Sequence, residues 1–450
     1  MNEHPRIRTR VTAVVLFCAV INFSVPASRA QTNWQDYEIT LPALNPSYSP
    51  LAEENRPLLF NRLMIAFAKE RLTHEAQNRA RTFSDGMTVY YLQRELQAFV
   101  DMWQATGYLV YLDQATSLTQ QALREARAAP RLLIWHGEPR GVWPCFYLDT
   151  VAAETGGHNQ LIDFQGSAGL LLVARCLQQI NRPEWRDIAE FVERDIVEKW
   201  LYYKPSITQD RLTGPESLKY LLVVLNSGRD VREHFACLCL DLQALGYRRY
   251  PYRDWAKLLI DLYLTPRYDV NEPAPYQNEL AGYLPADWGL FDRTEEDYVW
   301  YSIPGGDPND PLRPSDTSHA NRTAWLAARA CTEGLINKSI VLSLANTFRY
   351  RIWAPDKGPF YFNNYVDGSD GDMDGLEGGR GGNIWFGWHR LAAFDEDLAE
   401  LFLSLAYDLT NGGPNLPYGA QNKTMRDAPL CLEAWATRLL SAKGQIPRFP

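Results

Sequence analysis

This chain lacks most of the short signatures that identify a chemistry. It has no phosphate-cradling glycine loop, no Gly-x-Ser-x-Gly elbow and no His-Glu-x-x-His pair. Cysteines are few, seven in 450 residues, and their spacings match no zinc pattern. Positive charge is not in excess, and a net charge of −9 argues against nucleic acid as a partner. Beyond the N-terminal region no segment is long and apolar enough to cross a bilayer. No self-similarity recurs at a fixed period, which argues against a regular solenoid. Strand-like alternation is absent apart from short segments in loops.

What is present begins with a leader. Arg6, Arg8 and Arg10 give a basic start, Val11 to Val25 are mostly apolar, and Ala27-Ser28-Arg29-Ala30 places small residues where a signal peptidase looks. Cleavage after Ala30 is expected, leaving 31–450 as a single domain of a secreted or periplasmic protein without a membrane span. A retained N-terminal anchor is the alternative. Cys145, Cys176, Cys237, Cys239, Cys331 and Cys431 survive cleavage. An exported location permits one or two disulfides. Cys176, Cys237, Cys239 and Cys331 sit among apolar helical residues, where buried thiols are the default.

Helical periodicity runs from end to end. Leu58, Leu59, Leu63 and Phe67 open one helix; Val89, Leu92, Leu96, Phe99 and Trp103 mark the next. Others are expected at 109–126, 161–180, 184–202, 215–227, 231–245, 253–264, 317–334, 337–352, 384–393, 396–410 and 427–442. Gly107, Gly246 and Gly334 read as stops, Pro183 and Pro215 as near-starts. The fold class is all-α. Short turns alternate with long loops, and an α/α toroid of six or seven helical hairpins fits, with the long loops at one mouth. An irregular bundle or a solenoid is the alternative.

Three long loops stand out, at 129–160, 265–315 and 353–383. Loops of this length are usually functional or disordered, and their Trp, Tyr and Phe content argues against disorder. Such aromatics suit stacking on sugar rings, although a large core also needs them. The densest polar motif follows the second loop, at Asp316-Thr317-Ser318-His319-Ala320-Asn321-Arg322-Thr323. Asp316 is a good N-cap. His319 then falls in a first turn, where the positive end of the helix dipole disfavours imidazolium and leaves a neutral base. Arg322 projects from the same face. Upstream, Tyr298 and Tyr301 are candidates for proton transfer and Trp300 for stacking, unless that loop simply buries its aromatics. His158, Asn159 and Gln165 straddle a helix start, where Asn159 also serves as a plain cap.

Asp370, Asp372 and Asp374 alternate as in the first half of a calcium loop, but the twelfth position is Gly381 instead of an acid. No cofactor is required, and Ca2+ is the one ion this segment suggests. Trp385 and Trp388 follow as candidate sugar-stacking residues. If the loops share one mouth, His158, Tyr298, His319 and Trp385 should meet in one cleft within about 15 Å.

These features together resemble the exported α/α-toroid carbohydrate-active enzymes, a class containing six-hairpin glycoside hydrolases and alginate-lyase-like polysaccharide lyases. The likeness is architectural and covers most of the mature chain; the Asp316–Arg322 motif is similar in type to helix-start His motifs in such toroids. The resemblance implies a polysaccharide or oligosaccharide substrate. It also implies Tyr298 and His319 as proton-transfer residues, with Asn159 and Arg322 neutralising a uronate carboxylate. In a lyase, that neutralisation acidifies C5 and elimination follows. In the competing hydrolase, two carboxylates flank the bond, with Asp163, Glu296, Asp297, Asp316, Asp372 and Asp374 as candidates. A non-catalytic glycan-binding protein needs the aromatics but no clustered ionisable groups.

Overall fold

The computed structural model describes residues 51–68, 83, 86–127, 133–135, 138–140, 157–201, 221–225, 227–278, 280, 284–295, 298–305, 312–358, 360–370, 382–384, 386–410 and 427–442. All lie in the compact unit Asp36–Pro450. The described part is mostly helical. Eleven of its helices are used below: α1 (Arg56–Phe67), α2 (Gly86–Thr106), α3 (Leu109–Arg127), α4 (Gly157–Gln179), α5 (Trp185–Phe191), α6 (Arg229–Ala244), α7 (Tyr252–Tyr263), α8 (Thr317–Thr332), α9 (Lys338–Thr347), α10 (Glu396–Thr410) and α11 (Asp427–Ala442). None is long and apolar enough to cross a membrane.

Two kinds of helix are distinguishable by what they bury. On α3, Leu112, Ala115, Leu118, Ala122 and Leu123 are buried while Asp113, Ser117 and Arg124 are exposed, the one-sided pattern of a helix with solvent on its back. On α2, by contrast, Leu92, Leu96 and Phe99 are buried, and so are Gln93, Arg94, Glu95, Gln97 and Asp101. Helices α4, α6 and α8 share this trait, with Asp163 and Gln165, Glu233 and His234, and Asn321 and Arg322 buried. A helix buried on all sides has neighbours on all sides. Accordingly α2 lies against α4 and α11, α4 against α6, α6 against α8, α8 against the 3-10 turn Trp388–Ala393, and that turn against α11. The one-sided helices cover these from outside: α3 on α2 and α4, α5 on α4, α7 on α6, α9 on α8, α10 on the 3-10 turn, and α1 on α10 and α11.

Helix ends follow local chemistry. After α6, Gly246 adopts φ 93° and the Tyr247 amide reaches back to the Leu242 carbonyl at 3.0 Å. After α8, Gly334 (φ 71°) and Leu335 repeat the arrangement. This left-handed cap is the one glycine takes without steric cost. Helix α5 continues through π-helical turns at Val192–Glu198 and ends at Leu201, as the periodicity over 184–202 predicts.

Two expectations need correction. The stretch 265–315 is not loop throughout. Pro266–Arg267 (β3) pairs in parallel with Leu290–Glu295 (β4), which pairs antiparallel with Tyr298–Ser302 (β5), from Phe291 opposite Ser302 to Glu295 opposite Tyr298. A shorter hairpin, Leu133–Trp135 (β1) with Glu138–Arg140 (β2), lies within 129–160. These strands are too short for alternation to register, and β3 finds its partner more than twenty residues away, a pairing no local pattern reports. The helix expected over 384–393 is only the 3-10 turn, whose start is tied to a side chain of α8, as described next. Cys176, Cys237, Cys239, Cys331 and Cys431 are free thiols, and Cys145 lies outside the described residues.

Candidate functional site

The site is organised around the start of α8. Asp316 caps the helix in extended conformation, its Oδ1 accepting the His319 amide at 2.9 Å. Its Oδ2 meets His319 Nδ1 at 2.5 Å. Burial works against charge on the imidazole, but the hydrogen bond and charge of Asp316 outweigh it and lift His319 to about 9. Burial likewise opposes the Asp316 carboxylate, and the same pairing holds that group below its ordinary value of 3.8. The neutral base expected from the dipole is therefore corrected. A whole negative charge in contact outweighs the partial positive charge of a helix end. A value of about 9 makes His319 an imidazolium near pH 7, its side chain is 49% exposed, and its Nε2 meets no partner among the described residues.

One turn on, Arg322 is 1% exposed and forms a hub. Its Nη2 donates to the Tyr90 hydroxyl of α2 and, at 2.8 Å, to Gln165 Oε1 of α4. Its Nε donates at 3.1 Å to His234 Nε2 of α6. An imidazole that accepts from a guanidinium is neutral, and burial, Arg322 and Arg94 all keep the His234 pKa well below 6.5. Tyr90 is the unusual member. Burial pushes its phenol up, but Arg322, Arg94 and His319 together bring it below 10. Arg94, 2% exposed, lies over the rings of Phe386 (4.0 Å), Tyr91 (4.9 Å) and Tyr90 (5.3 Å). A partly exposed phenol backed by two guanidiniums ionises more readily than a free one.

Beside His319 opens a cavity of about 340 Å³, walled by the first turns of α6 and α8, by Pro304 and Gly305 after β5, and by Arg313 and Tyr365. Asp316, Asp230 and Glu233 bring three carboxylates to it. Glu233 Oε1 accepts from Thr323 Oγ1 at 2.5 Å and from Arg229 Nε at 3.1 Å, while Oε2 is buried with no partner among the described residues. Burial raises the Glu233 pKa in spite of Arg229. The cavity thus holds one carboxyl displaced upward and one displaced downward.

Other candidates have structural work. Asn321 Oδ1 accepts the amides of Phe386, Gly387 and Trp388 at 3.3, 2.9 and 3.2 Å, while its Nδ2 donates to the Thr317 and Asn383 carbonyls. Asn321 thus satisfies the otherwise orphaned amides at the start of the 3-10 turn. Gly387 lies so close that a Cβ there would fall 1.8 Å from the Asn321 carbonyl oxygen. Trp388 is wholly buried, donating to the Thr317 carbonyl at 3.0 Å and lying against Phe348. Tyr301 is equally buried, its phenol pushed far above its usual range by burial, and Trp300 is 6% exposed beneath Arg351. None of these three presents a stacking face or a mobile proton, which corrects their assignment as ligand contacts. Asp163 is buried, in contact with Lys199 and Trp200 at 2.6 Å each.

Asp370 is engaged by Lys357 at 3.2 Å and by the Tyr361 hydroxyl. Among the described residues no cluster of acidic, His or Cys side chains is placed to hold a metal. Asp372, Asp374, Trp385, Glu296 and Asp297 lie outside the described residues, as do the side chains of His158, Asn159 and Tyr298, although His158 and Asn159 are backbone members of α4 and Tyr298 of β5. The expected convergence of His158, Tyr298, His319 and Trp385 therefore also falls outside them.

Sequence reasoning missed Tyr90, Asp230, Glu233 and His234. A signal for the last three existed: Arg229-Asp230-Val231-Arg232-Glu233-His234 opens α6 much as Asp316 to Arg322 opens α8. Tyr90 carried none, since it reads as one more aromatic in a periodic run. No protein-family model matches this chain, and comparisons with curated proteins and with solved structures return no match.

Proposed function

We propose that the chain is an exported polysaccharide lyase on an α/α toroid, cleaving a uronate-containing polymer by β-elimination. Support for the toroid comes from the adjacency of the inward elements. Going α2, α4, α6, α8, the 3-10 turn and α11, it returns to α2, with one outer helix for each. In such a ring the N-terminal ends of α2, α4, α6 and α8 gather at one mouth, with Asp230 and His319 in first turns and Tyr90 and Gln165 deeper.

The observation that carries the chemistry is the Tyr90 hydroxyl, held by Arg322 and lowered in pKa despite burial. In the proposed step Tyr90 Oη takes the proton from C5 of the uronate. The C5–H electron pair becomes the C4–C5 double bond, the C4–O bond breaks, and the departing oxygen takes a proton from His319 Nε2. Arg322 and Arg94 supply positive charge behind the phenolate, fixed in place before reaction. Tyr90 thus replaces Tyr298 as the proposed base, and His319 acts as acid.

The test is a screen of uronate polysaccharides for the ultraviolet absorbance of the unsaturated product. Tyr90→Phe should lower kcat by about 10²–10⁴-fold, the usual worth of a general base, with KM little changed. Activity should fall as pH rises through about 9, where His319 loses its proton. Full activity in Tyr90→Phe would overturn the reading. Glu233 and Asp316, displaced in opposite directions around one cavity, favour a glycoside hydrolase as the second reading. That enzyme would release reducing ends without new absorbance and lose activity in Glu233→Gln.

A further inference from the structure

A second cavity, of about 320 Å³, lies among the later turns of the same inward helices. Asp101 on α2, Cys176 on α4, Arg329 on α8, Arg390 on the 3-10 turn, and Trp435 and Arg438 on α11 contribute to its wall. On α8 the ten residues from His319 to Arg329 amount to about 15 Å of rise, so this chamber is distinct from the His319 cavity. Trp325 lines the second chamber and meets His234 edge-on at 5.8 Å.

We infer that this second chamber binds a small organic oxyanion, a carboxylate or phosphate ester, through Arg175, Arg329, Arg390 and Arg438.

The charge count comes first. Asp101 serves two guanidiniums, Arg390 at 2.6 and 3.1 Å and Arg438 at 3.1 Å. Asp241 also serves two, Arg329 at 2.6 and 2.7 Å and Arg175 at 3.1 Å. Glu333 adds a contact to Arg175 at 3.2 Å. Four guanidiniums therefore face three carboxylates, and one positive charge is left without an answer inside a concave wall. Each guanidinium carries five N–H donors, more than these contacts use.

The second observation is independent of charge. Trp435 is 5% exposed, and its ring lies between Arg390 (4.4 Å) and Arg438 (5.0 Å). The ring thus fixes two of the guanidiniums side by side at the wall, and planar guanidiniums favour carboxylate or phosphate over halide.

The test is isothermal titration of the full mature chain with inorganic phosphate and with citrate in low-salt buffer. Saturable binding of at least one is expected, and comparing the two separates phosphate from carboxylate preference. Arg438→Ala and Arg175→Ala should each weaken binding at least about tenfold, while His319→Ala leaves it unchanged. Arg438→Lys should recover part of it. Asp101 retains Arg390 when Arg438 is removed, so Arg438→Ala keeps its fold and decides the matter should Arg175→Ala not fold. No saturation with either anion overturns the inference, as does binding by Arg438→Ala equal to the parent. Equal loss in His319→Ala would move the anion to the other cavity and overturn it too.

Discussion

Asp316 holds both the amide and the ring of the residue three places on, so one side chain sets where α8 begins and what charge His319 carries. Asp316→Asn separates the two roles, since asparagine still caps a helix but brings no charge. Burial and Arg322 both oppose imidazolium, and without Asp316 only the weaker charge of Asp230 answers them. The His319 ring, followed by NMR, should then titrate well below the parent, for which about 9 is expected. An unchanged midpoint would remove Asp316 as the cause. The stability consequence has a definite sign. His319 is raised, so its contribution is complete below 6.5 and lost as pH climbs through about 9. Asp316 is lowered, so its contribution is complete above 3.8 and lost as pH falls through its depressed value. Because His319 is half exposed, solvent screening keeps the net effect small.

At the scale of elements, one amide side chain of α8, Asn321, makes most of the hydrogen bonds to the segment 383–388. Asn321→Ala strips the acceptor from three buried backbone amides at once. Thermal or denaturant unfolding should show a loss of about 2–4 kcal/mol, each orphaned donor costing about 1–3 kcal/mol before relaxation. A loss under about 0.5 kcal/mol, ordinary for a surface change, would mean that the 386–388 amides find other acceptors. This element also shows where sequence reading stops. The α8 boundaries were legible because the cap, the apolar repeat and the closing glycine are all local. The helix α6 was legible for the same reasons. Trp388, by contrast, looked like a stacking residue because a sequence records that an aromatic follows a glycine-rich loop, not which way the ring turns. Its direction is decided by Asn321, more than sixty residues away. The role of Tyr90 likewise depends on Arg322, 232 positions along the chain.

For the whole molecule, the contact of α2 with α11 joins an early helix to the last one described, and Asp101 is its electrostatic rivet. Arg390 and Arg438 both depend on it. Asp101→Asn leaves those two cations without a carboxylate, and the expected cost is about 3–5 kcal/mol, the range for stripping a buried ion pair of one member. A melting temperature within a degree or two of the parent would show that α11 is held by its apolar face alone. Trp325 has a different kind of consequence. It lines the second chamber and meets His234, which itself accepts from Arg322, so the Arg322 hub and the guanidinium-lined chamber stand one indole apart.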